Sequence, residues 1–541
     1  MDGHYVDLWH RIARETPDRP ALVTVGEGVM TYAEFDDAAA RFAALCGDLG
    51  IGRDDKVSIL LHNRPEWLLT FAGSLRIGVV PVSLNFRYRA REVAELLDDS
   101  DSSALVYAAS LADVVAEAVA LLGRPIHLLQ VPDVEAPLLP NAIDFTDLHD
   151  RDPLPYEDPV DGDFFMYTGG TTGAPKAAVW STRQMLTMQI YNAYVSSGLP
   201  IPETPDDVVR TATDPDRQPI VALALSPFMH GTALTTVINA LLLGGTVVVL
   251  PTARFDPRRA IRAIRDERVS RVAVAGDAIA LPLLEAAEEE GISQLPHLDS
   301  VLSSGMRFSD EVKRRIHALG DVVITDILAS TEGGAVALGI TRADDDLPAR
   351  FRLTPGTVVL DDELAEVQDA PGSSGRIAFT GGMPKGYYGD PDKTAANFVE
   401  IRGRRHIIPG DLVRVLDDGG VELLGRGAAV VNTGGEKVFP AEVEASLLRH
   451  PDVLDAVVVG VPDERWGEVV AAVVAVTDPG SADTAAIVAH VGDEIAGYKK
   501  PKRILAVADL QRSGSGKVDL ARIRALFRDA QTGIVGPKSF R

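Results

Sequence analysis

A segment rich in glycine and threonine, ending in lysine, follows a short apolar run. Phe164–Tyr167 is predicted to be a strand, and residues 168–176 then read Thr-Gly-Gly-Thr-Thr-Gly-Ala-Pro-Lys. Glycines let several backbone N–H groups point into one concavity, and the threonine hydroxyls and Lys176 add donors and a cation. This chemistry suits a polyphosphate. The segment is not a Walker A loop because Ala177, and not Ser or Thr, follows the lysine. The alternative interpretation of residues 168–176 is a flexible turn that happens to be rich in glycine and threonine.

Other residues that could do chemistry are scattered along the chain. His230 ends Pro-Phe-Met-His, Glu332 lies in Thr-Glu-Gly-Gly after an apolar run, and Lys517 lies in a Ser/Gly segment. The alternative interpretations are a core histidine for His230, a surface carboxylate for Glu332 and a solvated lysine for Lys517. The basic cluster of Lys499, Lys500, Lys502 and Arg503 is ordinarily a solvated face.

These residues need a scaffold, and the hydrophobic pattern predicts one of α/β class. Helical patterns alternate with short apolar runs at residues 56–61, 103–107, 246–250, 272–274 and 322–324. Continuous apolar strands between helices indicate parallel sheets that are covered on both faces. The uncharged stretch Ala233–Leu250 is interpreted as a core helix and a buried strand, not as a membrane span.

Two places break the alternating pattern. Leu199–Pro219 carries five prolines and four aspartates, which predicts a long surface insertion, either a mobile loop or a lid near a substrate channel. The Gly-rich segment Leu424–Ala429 separates a strand-rich stretch from a short α+β pattern and predicts a domain hinge. We therefore predict a large N-terminal domain over residues 1–427, a small C-terminal domain over 428–530 and a loose tail over 531–541.

Composition limits the class of protein further. The 541 residues include 46% hydrophobic ones, so several domains with large cores are expected. A net charge of -25 disfavours binding to nucleic acid or to an anionic membrane. Cys46 is the sole cysteine and lies in an apolar helical pattern, which predicts a buried hydrophobic residue. The N-terminus has no signal-peptide pattern, no transmembrane segment is predicted, and the cytoplasm is the expected compartment.

Eight further segments occur in the order typical of one enzyme group. Together with residues 167–176, the chain resembles the ANL superfamily of adenylate-forming enzymes over nearly its whole length. The segments that carry this resemblance are Thr31–Glu34, Gly78–Asn85, Pro227–His230, Ser304–Met306, Ser330–Glu332, Gly410-Asp411 with Gly425-Arg426, Gly434–Pro440 and Ser515–Lys517. The resemblance implies an N-terminal domain of αβαβα-type parallel sheets with a small β-barrel-like subdomain, and a mobile α+β C-terminal domain.

The resemblance also implies roles for individual residues. Lys517, His230 and Glu332 would be catalytic, and Glu332 would bind Mg²⁺ together with Thr171. Coenzyme A would contact Gly434, Gly435, Lys499 and Lys500. The residues implied in ATP or AMP binding are Thr168, Gly169, Gly170, Thr171, Thr172, Gly173, Lys176, Ser304, Gly305, Met306, Asp326, Thr331, Asp411 and Arg426.

Three departures from the superfamily pattern are informative. Leu328-Ala329 stands where an aromatic residue usually lines the adenine site, and Pro409 replaces a hydroxyl residue before Gly410-Asp411. Ala429 occupies the usual charged hinge position, although Gly427 supplies the backbone freedom that rotation needs. The hinge pattern, with Trp180 after the phosphate segment, is similar to the actinobacterial acyl-CoA synthetases that act on fatty or steroid side-chain acids.

The resulting hypothesis is an ATP-dependent acyl-CoA ligase that forms an acyl-AMP and then a CoA thioester. Small residues after His230 favour a large or long acyl group. The partners implied are small molecules, namely a carboxylic acid, ATP and coenzyme A, and the resemblance leaves a homodimer open. The alternatives are a fatty acyl-AMP ligase or carrier-loading adenylation enzyme, and a catalytically silent nucleotide-binding or scaffold protein.

Overall fold

A computed structural model describes residues 3–169, 175–306, 308–361, 363–426, 431–438, 440–510 and 520–531. In chain order the helices are α1 (Tyr5–Glu15), α2 (Tyr32–Asp48), α3 (Pro65–Arg76), α4 (Ala90–Asp99), α5 (Ala112–Leu122), α6 (Thr182–Ser196), α7 (Pro205–Thr213), α8 (Gly231–Leu242), α9 (Pro257–Asp266), α10 (Gly276–Glu289), α11 (Asp310–His317), α12 (Pro391–Asn397), α13 (Pro440–Leu447), α14 (Thr484–Glu494) and α15 (Leu520–Gln531). The strands are β1 (Pro20–Thr24), β2 (Gly28–Thr31), β3 (Lys56–Leu60), β4 (Val80–Ser83), β5 (Ser102–Ala108), β6 (His127–Val131), β7 (Ala142–Asp144), β8 (Asp163–Gly169), β9 (Pro175–Ser181), β10 (Val221–Ala224), β11 (Thr246–Val249), β12 (Arg271–Val274), β13 (Ser300–Ser304), β14 (Val323–Ser330), β15 (Gly334–Thr341), β16 (Phe351–Leu353), β17 (Thr357–Leu360), β18 (Ser374–Phe379), β19 (Gly386–Tyr387), β20 (Phe398–Ile401), β21 (Arg404–Ile407), β22 (Asp411–Val415), β23 (Val421–Arg426), β24 (Val431–Thr433), β25 (Glu436–Val438), β26 (Asp455–Asp463), β27 (Gly467–Ala475) and β28 (Arg503–Val507).

Two large sheets organise the N-terminal part. The first contains a parallel section in the order β1-β11-β10-β12-β13-β14 and continues through β15 and β16 into the antiparallel strands β23, β22, β18, β21 and β20. The second sheet has the order β19-β9-β8-β4-β3-β5-β6-β7. The predicted barrel-like subdomain corresponds to the antiparallel section, which is hydrogen bonded into the first sheet.

The hydrophobic core explains why the strands are apolar on both faces. One cluster joins α1, α2, α3, α6 and α8 to the facing sides of both sheets. A second covers the outer side of the first sheet with α9, α10 and α11, and a third covers the outer side of the second sheet with α4 and α5. These layers form the predicted αβαβα arrangement. Helix α8 followed by β11 confirms the interpretation of Ala233–Leu250.

The C-terminal part forms a smaller five-stranded sheet. Its path is β25-β24-β27-β26, and β28 pairs with β27 in parallel. One face packs against α13 and α14, and the other packs against α15. The α/β fold class, with a large N-terminal and a smaller C-terminal domain, is therefore confirmed.

The prediction for Leu199–Pro219 was wrong, because this segment contains the packed helix α7. Thr204 caps the helix by accepting a hydrogen bond from the backbone N–H of Asp207, whose side chain bonds back to Thr204, and Pro205 occupies the first turn. Val208 and Val209 are buried in the central cluster. The segment is therefore a packed element and not a mobile loop.

One smaller prediction is confirmed by burial. Cys46 is 2% exposed, and burial raises the pKa of its thiol to about 12. Within the described ranges, no helix is both long enough and apolar enough to cross a membrane.

Candidate active site

A cavity of about 830 Å³ lies between the first sheet, helices α6 and α8, and the C-terminal domain. Its wall includes the carboxyl ends of β10, β13 and β14, where ligands of parallel sheets ordinarily bind. The turn between β24 and β25 closes it from the C-terminal side. Predicted site residues that line the cavity are His230, Ser304, Gly305, Thr331, Gly434, Gly435 and Lys499.

The two ends of the phosphate segment meet at the antiparallel pair of β8 and β9. In this pair Thr168 lies opposite Lys176, and Gly169 opposite Pro175. The Lys176 amine lies 3.6 Å from Asp99 Oδ1 and 3.9 Å from Asp390 Oδ2. The predicted residues Gly170, Thr171, Thr172 and Gly173 lie outside the described residues, as do Lys517 and the hinge residues 427–430.

Glu332 lies in the turn that follows β14. The Tyr387 hydroxyl donates a hydrogen bond of 2.9 Å to Glu332 Oε1, and the Trp180 indole N–H donates to the Thr331 carbonyl at 3.0 Å. The Lys393 amine lies 4.6 Å from the centre of the Tyr387 ring. Burial lowers the pKa of Lys393, although the nearby Glu332 opposes this shift. Tyr387 and Lys393 were missed in the sequence, where Gly-Tyr-Tyr-Gly-Asp-Pro-Asp-Lys was the available signal.

Of the residues predicted to contact the nucleotide, some line the cavity and others lie elsewhere. Ser304 and Gly305 line the wall at the end of β13, and Ala329, the second residue of the Leu328-Ala329 pair, lines it near the end of β14. Asp411 is 2% exposed on β22 and lies opposite Arg426 on β23.

Asp326 is oriented differently from the predicted nucleotide contact. Its carboxylate accepts a hydrogen bond of 2.9 Å from the Lys313 amine on α11, and burial raises its pKa. Its neighbours Thr325 and Ile327 line the cavity. Because side chains alternate along a strand, Asp326 lies on the other face of β14 and stabilises the packing of α11.

The C-terminal domain approaches His230 through Glu436. His230 precedes α8, and its Nε2 lies 3.6 Å from Glu436 Oε1, which also accepts a hydrogen bond of 2.5 Å from Arg87. Burial alone would raise the pKa of Glu436, but His230, Arg87 and Lys499 together lower it. Glu436 is thus held as a carboxylate beside His230. Neither Glu436 nor Arg87 was singled out in the sequence, because 349 residues separate them.

The turn before Glu436 contacts the predicted adenine turn. Gly435 has φ +85°, and a Cβ at this position would lie 3.2 Å from Ala275 Cβ and 3.6 Å from Met306 Sδ. The positive φ favours glycine here, and an added Cβ would also be close to Ala275. Met306 and Gly435 join the two domains at the cavity.

Lys499 does not belong to a solvated basic face, so that interpretation was wrong for this residue. It is 2% exposed, and its amine donates hydrogen bonds of 2.5 Å to both Glu92 and Glu442. The Tyr88 ring centre lies 4.4 Å away. We call Lys499, Glu92, Glu442 and Tyr88 the interdomain cluster, since Glu92 and Tyr88 belong to the N-terminal domain.

The two carboxylates of the interdomain cluster share one cation. Burial raises the pKa of Glu442 to about 7, with Glu92 adding to the shift and Lys499 opposing it. The pKa of Lys499 is raised by its anionic neighbours despite burial. One ammonium group can balance only one carboxylate, so the second favours its protonated form. Lys500 instead packs along α14, where a Cβ at Gly492 would lie close to its side chain.

Comparisons with known proteins agree with this fold. The AMP-binding enzyme family matches residues 9–388, and the AMP-binding enzyme C-terminal domain matches residues 442–517. The chain is 36% identical to a "Medium/long-chain-fatty-acid--CoA/3-oxocholest-4-en-26-oate--CoA ligase" of Mycolicibacterium smegmatis, over 96% of this chain and 95% of the relative. It is 34% identical to a "3-oxocholest-4-en-26-oate--CoA ligase" of Rhodococcus rhodochrous, over 95% and 93% respectively.

A solved structure matches over a similar extent. The amide bond synthetase McbA from Marinactinospora thermotolerans superposes with a TM-score of 0.78 at 24% identity, covering 97% of this chain and 100% of that protein. At this identity the likeness concerns the fold alone. The chain belongs to the AMP-binding enzyme family. The predicted adenylate-forming superfamily and acid–thiol ligase class are thereby confirmed.

Proposed function

We propose that this enzyme activates a medium- or long-chain fatty acid or a steroid side-chain acid with ATP and transfers the acyl group to coenzyme A. In the first step a carboxylate oxygen attacks the α-phosphorus of ATP, and pyrophosphate leaves. In the second step the CoA sulfur attacks the acyl carbonyl carbon, its proton is released, and AMP leaves. The names of the relatives support the acid class.

The observation that carries the proposal is the meeting of two domains at His230. The Gly434–Glu436 turn of the C-terminal domain lines the same cavity as helices α6 and α8. The helices supply side chains next to Trp180, several of them small, which suit an acyl group. The turn brings backbone groups to the carbonyl end of that group. An acceptor that enters beside this turn would reach the acyl carbonyl. This arrangement favours the thioester step over an enzyme that stops at acyl-AMP.

We further propose that the remaining predicted residues act in the first step. Lys176 and the phosphate segment would hold the β- and γ-phosphates, Asp411 would accept hydrogen bonds from the ribose hydroxyls, and Lys517 would contact the carboxylate and α-phosphate. Rotation of the domain after residue 427 would exchange Lys517 for the Gly434–Glu436 turn. The start of the third sheet at β24 supports this boundary.

Magnesium fits the donor set next to the phosphate segment. Mg²⁺ ordinarily takes one or two carboxylates and completes its coordination with substrate phosphates and water. Among the described residues no cluster of three or more His, Cys, Asp or Glu side chains forms a self-sufficient metal site. Glu332, held by Tyr387, would supply the carboxylate and Thr171 a hydroxyl. When bound, the ion would neutralise charge on the transferring phosphate group.

The test is pyrophosphate release with a panel of acids, measured with and without coenzyme A. We expect fatty acids of medium or greater length, or steroid side-chain acids, to exceed acetate and propionate, and the thioester to appear only with CoA. An acyl-AMP that accumulates without thioester would instead favour the acyl-AMP ligase. Turnover that survives Lys517→Ala would contradict the assignment of Lys517.

A further inference from the structure

The acyl region of the cavity is more polar than a hydrocarbon chain requires. Helix α8 turns Thr232, Thr235, Thr236 and Asn239 toward it, at the spacing that places side chains on one face. The neighbouring helix α6 contributes Asn192 together with apolar residues.

Asn239 differs from the threonines on the same face. Thr235 and Thr236 both donate hydrogen bonds to the Thr232 carbonyl, at 3.2 and 2.8 Å, so their protons are already used within the helix. Asn239 is 9% exposed, and its Oδ1 has no hydrogen-bond partner among the described residues. Leaving a buried amide oxygen unpaired costs about 1–3 kcal/mol. A leucine at this position would avoid that cost if the site only enclosed a hydrocarbon.

The position of Asn239 sets the distance from the reacting carboxylate. His230 immediately precedes α8, and Asn239 is nine residues further along. At 1.5 Å per residue the separation along the helix axis is about 13 Å, close to the length of roughly ten carbon–carbon bonds. Asn239 would therefore face the distal part of an acyl group that runs along α8 with its carboxylate at His230.

We propose that Asn239 is a specificity residue that hydrogen bonds to an oxygen on the distal part of the acid. The inference rests on the proposed function, and it narrows the substrate class to acids with a hydroxyl or oxo group about ten bonds from the carboxylate. The amide N–H can donate to the oxygen of either group, whereas Oδ1 is buried away from the cavity. The threonine hydroxyl oxygens nearby can accept a further hydrogen bond.

The test compares two acids of equal chain length, dodecanoic acid and 11-hydroxydodecanoic acid, by pyrophosphate release. We expect the wild type to favour the hydroxy acid by about tenfold in kcat/KM, the effect of one buried hydrogen bond. Asn239→Leu should abolish this preference while retaining turnover of dodecanoic acid. Asn239→Ala, which adds no branch to the cavity, should abolish it as well.

Thermal unfolding without substrate separates recognition from a structural role. Because Asn239 Oδ1 is unpaired, we expect Asn239→Leu to melt at or above the temperature of the wild type. Equal use of the two acids by the wild type, as expected if a fixed water satisfies Asn239, would overturn the proposal. So would an equal loss of both activities in the variants. A wild type that releases pyrophosphate with neither acid, nor with any acid of the panel, would overturn the proposed function first.

Discussion

Replacing Lys499 by methionine tests whether the interdomain cluster holds the C-terminal domain against the cavity. The amine is 2% exposed and donates to Glu92 and Glu442 at 2.5 Å each. Removing one partner of a buried ion pair costs about 3–5 kcal/mol. Since the pKa of Glu442 is already raised to about 7, one carboxylate can take up a proton, and the lower end of that range applies. A loss of about 3 kcal/mol corresponds to roughly a hundredfold decrease in the docking equilibrium.

The two half-reactions should respond differently to Lys499→Met. We expect formation of the thioester from preformed acyl-AMP and CoA to slow by up to about a hundredfold. Pyrophosphate release in the first step should remain near the wild-type rate, because in the proposed mechanism the first step uses the other orientation of the domain. Single-turnover quenched flow measures both steps. The matched control is Lys385→Met, whose ion pair with Asp163 is exposed and worth little.

Two results would refute this reasoning. Equal slowing of both steps would mean that Lys499 stabilises the fold in general, and an unchanged thioester step would mean that docking does not depend on the cluster. Adding Glu442→Gln to Lys499→Met removes one of the two carboxylates that lose their cation, so the double variant should recover part of the thioester rate. If the thioester rate does not recover in the double variant, uncompensated charge does not explain the slower thioester step.

Two further predictions concern pH and stability. The docked form of the C-terminal domain holds the Glu442 proton more tightly than the undocked form. Docking should therefore be strongest below the ordinary pKa of a glutamate and weaken as the pH rises to about 7 and above. Small-angle scattering should record this change, and Glu442→Gln should remove the pH dependence. The Tyr32 hydroxyl donates to the carbonyls of Leu241 and Gly245 at the end of α8, so Tyr32→Phe should lower the free energy of unfolding by about 1–2 kcal/mol with KM unchanged. A denaturant titration measures that loss, and an unaltered midpoint would contradict it.

The sequence predicted those parts of the fold that depend on local patterns. Apolar runs such as residues 56–61 became strands, and Ala233–Leu250 became a helix and a strand, because burial on both faces leaves a continuous apolar signature. Helix α7 was missed since its prolines and aspartates were counted as loop residues. Thr204 and Asp207 were in fact its N-terminal capping pair.

Only those site residues that belong to a sequence motif could be predicted. His230, Ser304 and Gly434 line the cavity as their motifs implied. The environment of Lys499 was not predictable, because its partners Glu92 and Glu442 lie 407 and 57 residues away in the sequence. A basic cluster looks the same in sequence whether its lysines are solvated or buried beside carboxylates. The environment of Asp326 likewise could not be predicted, because the register of β14 decides on which face of the sheet its side chain lies.

The central claim is that one site carries out acyl adenylation and then thioester formation. The most direct measurement is the stoichiometry of pyrophosphate, AMP and acyl-CoA with an accepted acid. Without CoA, we predict a burst of pyrophosphate equal to the number of active sites, with acyl-AMP retained on the enzyme. With CoA, pyrophosphate, AMP and thioester should form in equal amounts over many turnovers. Release of ADP, or AMP formed without an equal amount of thioester, would contradict the account.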